Sequence, residues 1–212
     1  MIQFLLLLSI LMLIYYTVRI EGLTNPSNTR SKSVLLLGDS VLKNDTYVDK
    51  GYSITDQLRN YVDVNIVAQD GAKILDISRQ LQSYQLQPTA NKIVISIGGN
   101  NILEEIPFYN EEHIDNLFDE YKNTILHIKN VLQIRSSNII LCNIYYPPSY
   151  MYRKYDKTIT KWNKLLDAFA KQHSFKILNI ANIMNEQEDF THEIEPSRIG
   201  GNKIVQALKQ VI

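Results

Sequence analysis

Ser40 is the first residue in the chain whose type and setting point to chemistry. It closes the stretch VLLLGDS (34–40), where an apolar run stops on Gly-Asp-Ser. An ordinary turn explains that triplet, because Gly, Asp and Ser all favour turns, and so does a hydroxyl nucleophile presented at a strand end. A serine that attacks an acyl carbon needs a base within hydrogen-bond reach, a group that orients the base, and donors aimed at the developing oxyanion. The Ser40 N–H, the N–H of Gly71 in AQDGA (68–72) and the amide of Asn100 in GGNN (98–101) are candidate donors, with Gly71 and Gly99 allowing close backbone approach. For the base there are two candidates in EDFTHEIEPS (188–197). His192 has a reference pKa of about 6.5, suited to neutral pH, and Asp189 three residues earlier is a possible orienting partner. Glu195 needs burial to raise its pKa before it can serve; otherwise it is a carboxylate favoured by the first turn of the next helix. The chemistry therefore favours His192 as base, oriented by Asp189, with Glu195 capping the helix or lining the site.

Other chemistry-bearing residues read as structural. Asp39 is expected to hold the turn beside the serine. Cys142 in IILCNIYY is the single cysteine, which excludes an internal disulfide and a CxxC site and suits a small buried strand residue. His113, His127 and His173 fall on helical segments and are expected on solvated faces. Tyr145, Tyr146, Tyr150, Tyr152 and Tyr155 form either a packed loop or an aromatic wall for an acyl or glycosyl group. No metal-ligand spacing, Walker A loop or GxGxxG occurs, and no cofactor is expected. With 22 basic and 22 acidic residues and no basic stripe interleaved with aromatics, nucleic acid is not an expected partner; a small-molecule, lipid or glycan ester is.

The elements that must position these residues follow from hydrophobic period. Apolar runs at 34–38, 62–67, 92–97, 138–143 and 175–179 alternate with helical segments at 54–61, 72–82, 111–134, 157–173 and 196–212. Continuous apolar strands between helices predict a parallel five-stranded sheet in a three-layer α/β/α domain over residues 34–212. In such sheets ligands bind outside the carboxyl ends of the strands. GDS, AQDGA, GGNN and the loops at 145–155 and 188–197 all fall at that edge.

Residues 2–18, IQFLLLLSILMLIYYTV, carry no charge, and no small-x-small cleavage signature follows. They are expected to form an uncleaved N-terminal transmembrane anchor within residues 1–20, followed by a polar tether over 21–33. Arg19, Arg30 and Lys32 argue for a cytoplasmic domain, while the sequon Asn44-Asp45-Thr46 argues for a lumenal one.

The order and context of these motifs resemble the SGNH (GDSL) hydrolase family. Gly38-Asp39-Ser40 matches its first block, Gly71 its second, Gly99-Asn100 its third and the loop before the last helix its fifth. The resemblance implies a flavodoxin-like fold and a Ser/His/Asp hydrolase of esters or acyl groups, with Ser40 as nucleophile and the Ser40 N–H, Gly71 N–H and Asn100 side chain as oxyanion hole. The family usually has aspartate where Asn101 stands. It also reads Asp-x-x-His-Pro before the last helix. Counted from Gly200 and Pro196, that register puts Glu195 in the histidine slot and His192 in the aspartate slot. The alternative is therefore a catalytically silent binding module that keeps the cleft but lacks the usual base.

Overall fold

Five of the apolar runs form one parallel sheet, and the alternation of their side chains divides the core into two halves. The computed structural model describes residues 33–84 and 90–212. In chain order the elements are β1 (Ser33–Gly38), α1 (Ile54–Leu58), β2 (Asp63–Ile66), α2 (Ile77–Tyr84), β3 (Lys92–Ser96), α3 (Gly99–Glu105), α4 (Glu111–Val131), β4 (Ile139–Cys142), α5 (Asp156–His173), β5 (Lys176–Leu178) and α6 (Ile180–Ile183). A small antiparallel hairpin of β6 (Phe190–Thr191) and β7 (Glu195–Pro196) follows, and then α7 (Arg198–Val211). The strand order in the large sheet is β2-β1-β3-β4-β5.

Successive strand residues point to opposite faces. On one face Leu35, Leu37, Ile93, Ile95, Ile139 and Leu141 meet Ile77 and Leu81 of α2, Ile114, Tyr121 and Ile125 of α4, and Trp162 of α5. On the other, Val34, Leu36, Val94, Ile140 and Cys142 meet Ile54 and Leu58 of α1 and Ile204, Val205 and Leu208 of α7. Both faces are dry, which is why the strands read as unbroken apolar runs instead of alternating ones.

The expected helices are present with shifted ends. The segment at 72–82 divides into a single turn of 3-10 helix at Ile74–Asp76 and α2, and the one at 111–134 stops at Val131. Sequence period does not reveal α3, α6 or the β6–β7 hairpin, because each is too short to complete an amphipathic pattern. His173 also departs from expectation: it packs its ring against Phe169 and Phe175 at the end of α5, while His113 and His127 are exposed.

Order β2-β1-β3 means that the chain leaves β1 toward one neighbour and later returns to its other side. The crevice outside the carboxyl ends of β1 and β3 is then the natural ligand position. Gly38 makes the close approach there possible. Its φ is +121°, and a Cβ at this position would stand 1.7 Å from the Ser96 carbonyl oxygen. The buried Gln80 of α2 fixes the strand end, accepting from the Gly38 N–H at 2.8 Å and donating to the Gly38 carbonyl at 2.7 Å.

The anchor expected over 1–20 and nearly all of the tether at 21–33 lie outside the described residues. Among the described residues no helix is long and apolar enough to cross a membrane. The sequon is answered locally. Asn44 is fully buried, its Oδ1 accepting from the Ile54 N–H at 2.8 Å and its Nδ2 donating to the Pro196 carbonyl at 3.4 Å. The folded domain does not present that amide to a glycosylating enzyme.

Candidate active site

The turn that follows β1 is tied down before it reaches the serine. The Asp39 N–H donates to the Ser96 carbonyl at 2.9 Å, and the Asp39 carboxylate accepts from Ser96 Oγ at 2.9 Å and from the Val41 N–H at 3.2 Å. Burial, the largest cause, and the charge of Glu195 push the Asp39 carboxyl up to about 7 against the lowering effect of these bonds. Ser40 is thus held at the sheet edge, 6% exposed.

Its hydroxyl donates to Glu195 Oε1 at 3.0 Å, within the 2.6–3.2 Å reach of a general base. Glu195 is 7% exposed, and its Oε2 is buried without a hydrogen-bond partner among the described residues. Burial is the main cause that raises its carboxyl to about 7; the charge of Asp70 adds to the rise and the Ser40 hydroxyl opposes it. A carboxylate of ordinary acidity has thereby become a group that exchanges protons near neutral pH.

The hairpin explains why this residue, and not His192, meets the serine. Thr191 pairs with Glu195 and Phe190 with Pro196, so the chain reverses between them instead of running extended. His192 and Glu193 make the reversal in left-handed conformation, with φ of 44° and 70°. His192 lies exposed at the tip, with Nδ1 3.2 Å from Thr191 Oγ1 and its ring against that of Tyr47 at 5.4 Å. From the loop after β4 Tyr145 supports the turn, its hydroxyl donating to the Ile194 carbonyl at 2.5 Å.

Asp189 does not orient His192. It is fully buried and ion-paired with Lys203 of α7, with Lys203 Nζ 2.7 Å from Oδ1 and 2.9 Å from Oδ2. Oδ2 also accepts from the Asn185 and Glu186 N–H groups at 3.1 and 3.0 Å. Its carbonyl accepts from the Ser197 N–H at 2.8 Å, and Ser197 in turn caps α7 through the Ile199 and Gly200 N–H groups. This carboxylate therefore fixes the base of the hairpin to the last helix. Asp189→Ala leaves the Asn185 and Glu186 N–H groups and the Lys203 ammonium without this acceptor and is expected to cost about 1–3 kcal/mol of stability. Urea denaturation of the variant beside wild type measures that loss.

The remaining sequence candidates converge unevenly. The Asn100 amide donates to the Ala72 carbonyl at 2.9 Å, and Asn100 lines the crevice with Ser40 and Gly99. Among the described residues the Ser40 and Gly71 N–H groups donate to no protein acceptor. Asn101 faces the other way. Buried, it accepts from the Ile74 N–H at 3.1 Å and donates to Glu105 Oε1 at 3.0 Å, locking the loop that carries Gly71 onto α3.

A cavity of about 60 Å³ opens beside Ser40, walled by Ile97, Ile102, Leu103, Ile144 and Ile159. Cys142 lines it as well, buried, and burial followed by the Asp39 charge pushes its thiol well above the usual range, away from thiolate chemistry. Of the five loop tyrosines only Tyr145 lines the cavity; Tyr150 is exposed, Tyr146 meets Thr160, Tyr152 reaches Glu193 and Tyr155 donates to the Leu103 carbonyl. Two positions escaped the sequence reading. Asn163 of α5 brackets Ile144, accepting from its N–H at 2.9 Å and donating to its carbonyl at 2.7 Å, and so sets the cavity wall. Asp70 accepts at 2.7 Å from the Tyr47 hydroxyl beside Gly71. An asparagine inside a helical period and an aspartate in a turn carry no signal of such partners.

Among the described residues no cluster of His, Cys, Asp and Glu is arranged to hold a metal ion. No curated protein matches the sequence. Solved structures do. The chain resembles a member of the lipolytic G-D-S-L family from Veillonella parvula (TM-score 0.65, 17% identity, 85% of this chain and 97% of that one). It resembles the psychrotrophic esterase EstA from Pseudoalteromonas (0.61, 13%, 85% and 96%) and the acetylxylan esterase Axe2 from Geobacillus stearothermophilus (0.60, 16%, 84% and 93%). At these identities the likeness establishes the fold. The model of the GDSL-like lipase/acylhydrolase family matches residues 34–198, from the first residues of β1 to the start of α7, and the chain belongs to that family.

Proposed function

We propose that the domain hydrolyses short acyl esters with Ser40 as nucleophile and Glu195 as base. The observation that carries this reading is the 3.0 Å bond from the Ser40 hydroxyl to a buried carboxyl whose pKa lies near 7. Ser40 Oγ attacks the acyl carbon while its proton passes to Glu195 Oε1. The negative charge moves from the carboxylate to the substrate oxygen, so no net charge is created in the buried site. The oxyanion is received by the Ser40 and Gly71 N–H groups and the Asn100 amide, a kind of donor whose loss typically costs about 10²-fold or more in rate. Collapse expels the alcohol, which takes the proton from Glu195. Water then attacks the acyl-serine with Glu195 again accepting the proton, and collapse breaks the acyl–Oγ bond, returns that proton from Glu195 to Ser40 Oγ and frees the carboxylic acid. The narrow apolar cavity favours acetyl and similarly short chains.

Stoichiometric labelling of Ser40 by a fluorophosphonate, together with release of p-nitrophenol from p-nitrophenyl acetate, tests this reading. A second reading has its own observation: among the described residues Glu195 Oε2 has no orienting partner, as a cleft kept for binding alone would permit. Absence of both labelling and turnover would favour that module. On sequence grounds residues 2–18 are read as a membrane anchor on the full chain; release of the protein by carbonate extraction would refute it.

A further inference from the structure

Tyr155, Ile159 and Asn163, four residues apart at the start of α5, meet the walls of the apolar cavity from one stripe of that helix. Ile159 is itself a wall and is 3% exposed. Tyr155, also buried, donates to the Leu103 carbonyl at 3.0 Å, in the last turn of α3 where helical carbonyls run out of partners. It thereby fixes the wall that Leu103 forms. Ile144 lies two residues beyond β4, where the ladder has ended, and the Asn163 amide takes the place of a neighbouring strand, accepting from the Ile144 N–H at 2.9 Å and donating to its carbonyl at 2.7 Å. Both walls are held by hydrogen bonds as well as by packing. The helix has its own anchorage in Trp162, Leu166 and Phe169, all buried in the core. A change of side chain at 159 then leaves the frame in place.

We propose that this stripe sets the chain-length limit of the site: Ile159 stops the acyl chain, and Tyr155 and Asn163 keep the neighbouring walls from yielding to a longer one. The inference rests on the hydrolase reading for its substrate and not for its cavity. A β-branched side chain in a helix has one strongly preferred χ1, so Ile159 does not swing aside. Close-packed apolar walls that cannot relax discriminate by about 10–200-fold per methylene.

The test measures kcat/KM of the full chain for p-nitrophenyl acetate, butanoate, hexanoate and octanoate. Wild type is expected to prefer acetate to octanoate by about 10²-fold or more, and Ile159→Ala to move the optimum to butanoate or hexanoate. Ile159→Val, a one-methyl truncation, should move it the same way by less and keeps the test in force if the alanine variant does not fold. Asn163→Ala and Tyr155→Phe should raise the octanoate-to-acetate ratio, whereas a merely structural loss lowers both esters alike. Ile199→Ala, an exposed truncation on α7, should leave the profile unchanged. In parallel, binding of butan-1-ol and octan-1-ol to Ser40→Ala, with and without Ile159→Ala, is followed by calorimetry, since occupancy needs no turnover. Each further methylene buried adds about fourfold in affinity, so octanol should gain on butanol only where Ile159 is truncated. A wild-type chain-length profile in active Ile159→Ala and Ile159→Val would overturn the stop and leave the hydrolase standing. An unchanged ratio in Asn163→Ala and Tyr155→Phe would overturn their part in it. A gain of octanol binding on truncation, without turnover of any ester, would uphold the stop and reject the hydrolase. Neither turnover nor that gain would reject both.

Discussion

Ser40→Ala is expected to lower turnover of p-nitrophenyl acetate by about 10³-fold or more while leaving the fold in place. Removing a nucleophile eliminates the covalent route, and the residual rate comes from the oxyanion donors and binding alone. The fold should survive because, among the described residues, the Ser40 side chain makes one hydrogen bond, to Glu195, whereas the turn is held by the bonds of Asp39 to Ser96 and Val41. The variant has a second signature. The Ser40 hydroxyl is the contact that lowers the Glu195 carboxyl against burial and Asp70, so its loss should push that carboxyl higher still. Steady-state rates beside circular dichroism separate the outcomes. Equal rates in wild type and variant, with both folded, would remove Ser40 from the reaction.

The layers and the site edge were legible in the sequence because they depend on signals that repeat. Val34 to Leu37 and Ile93 to Ile95 read as doubly buried strands, and the structure packs alternate residues of each against α2, α4 and α5 or against α1 and α7. Gly38 stood out as a glycine in the triplet that ends the first strand, and its positive φ against Ser96 is the reason for that residue type; Asn100 stood out in GGNN after the third strand, and it lines the crevice with Ser40. The geometry at residues 189–195 was not. A hairpin with two residues per strand has no period, and its turn uses His192 and Glu193 at positive φ where glycine or asparagine would have announced it. Reference pKa values favoured His192 over Glu195, but they describe groups in water. Burial of Glu195 beside Asp70 lifts its carboxyl to the range an imidazole normally occupies. Asp189 looked like an orienting carboxylate for want of any sign, fourteen residues on, that Lys203 would claim it.

Glu195→Gln and His192→Ala should therefore diverge. General-base catalysis contributes about 10²–10⁴-fold, and the glutamine keeps the shape of the side chain while abolishing the proton acceptor, so a loss of that order in kcat/KM is expected. His192→Ala, which removes an exposed ring resting on Tyr47, should stay within about twofold on the same uncharged ester. Because the base acts ionised, the wild-type rate should rise with pH through about 7 and level above it. The same shift has a stability consequence of opposite direction. Between the unfolded carboxyl value of 4.5 and the folded value of about 7 the native state binds more protons than the unfolded chain, so stability falls as pH rises across that window. Glutamine carries no charge to bury. The variant should gain on wild type through that window, reaching an advantage on the order of 1–3 kcal/mol above pH 7. An enzyme that loses rate and gains stability above neutrality on one substitution is storing an unfavourable buried charge where the chemistry uses it. A His192→Ala variant that loses the rate, beside a Glu195→Gln variant that keeps it and shows no pH-dependent gain, would transfer the base to the imidazole.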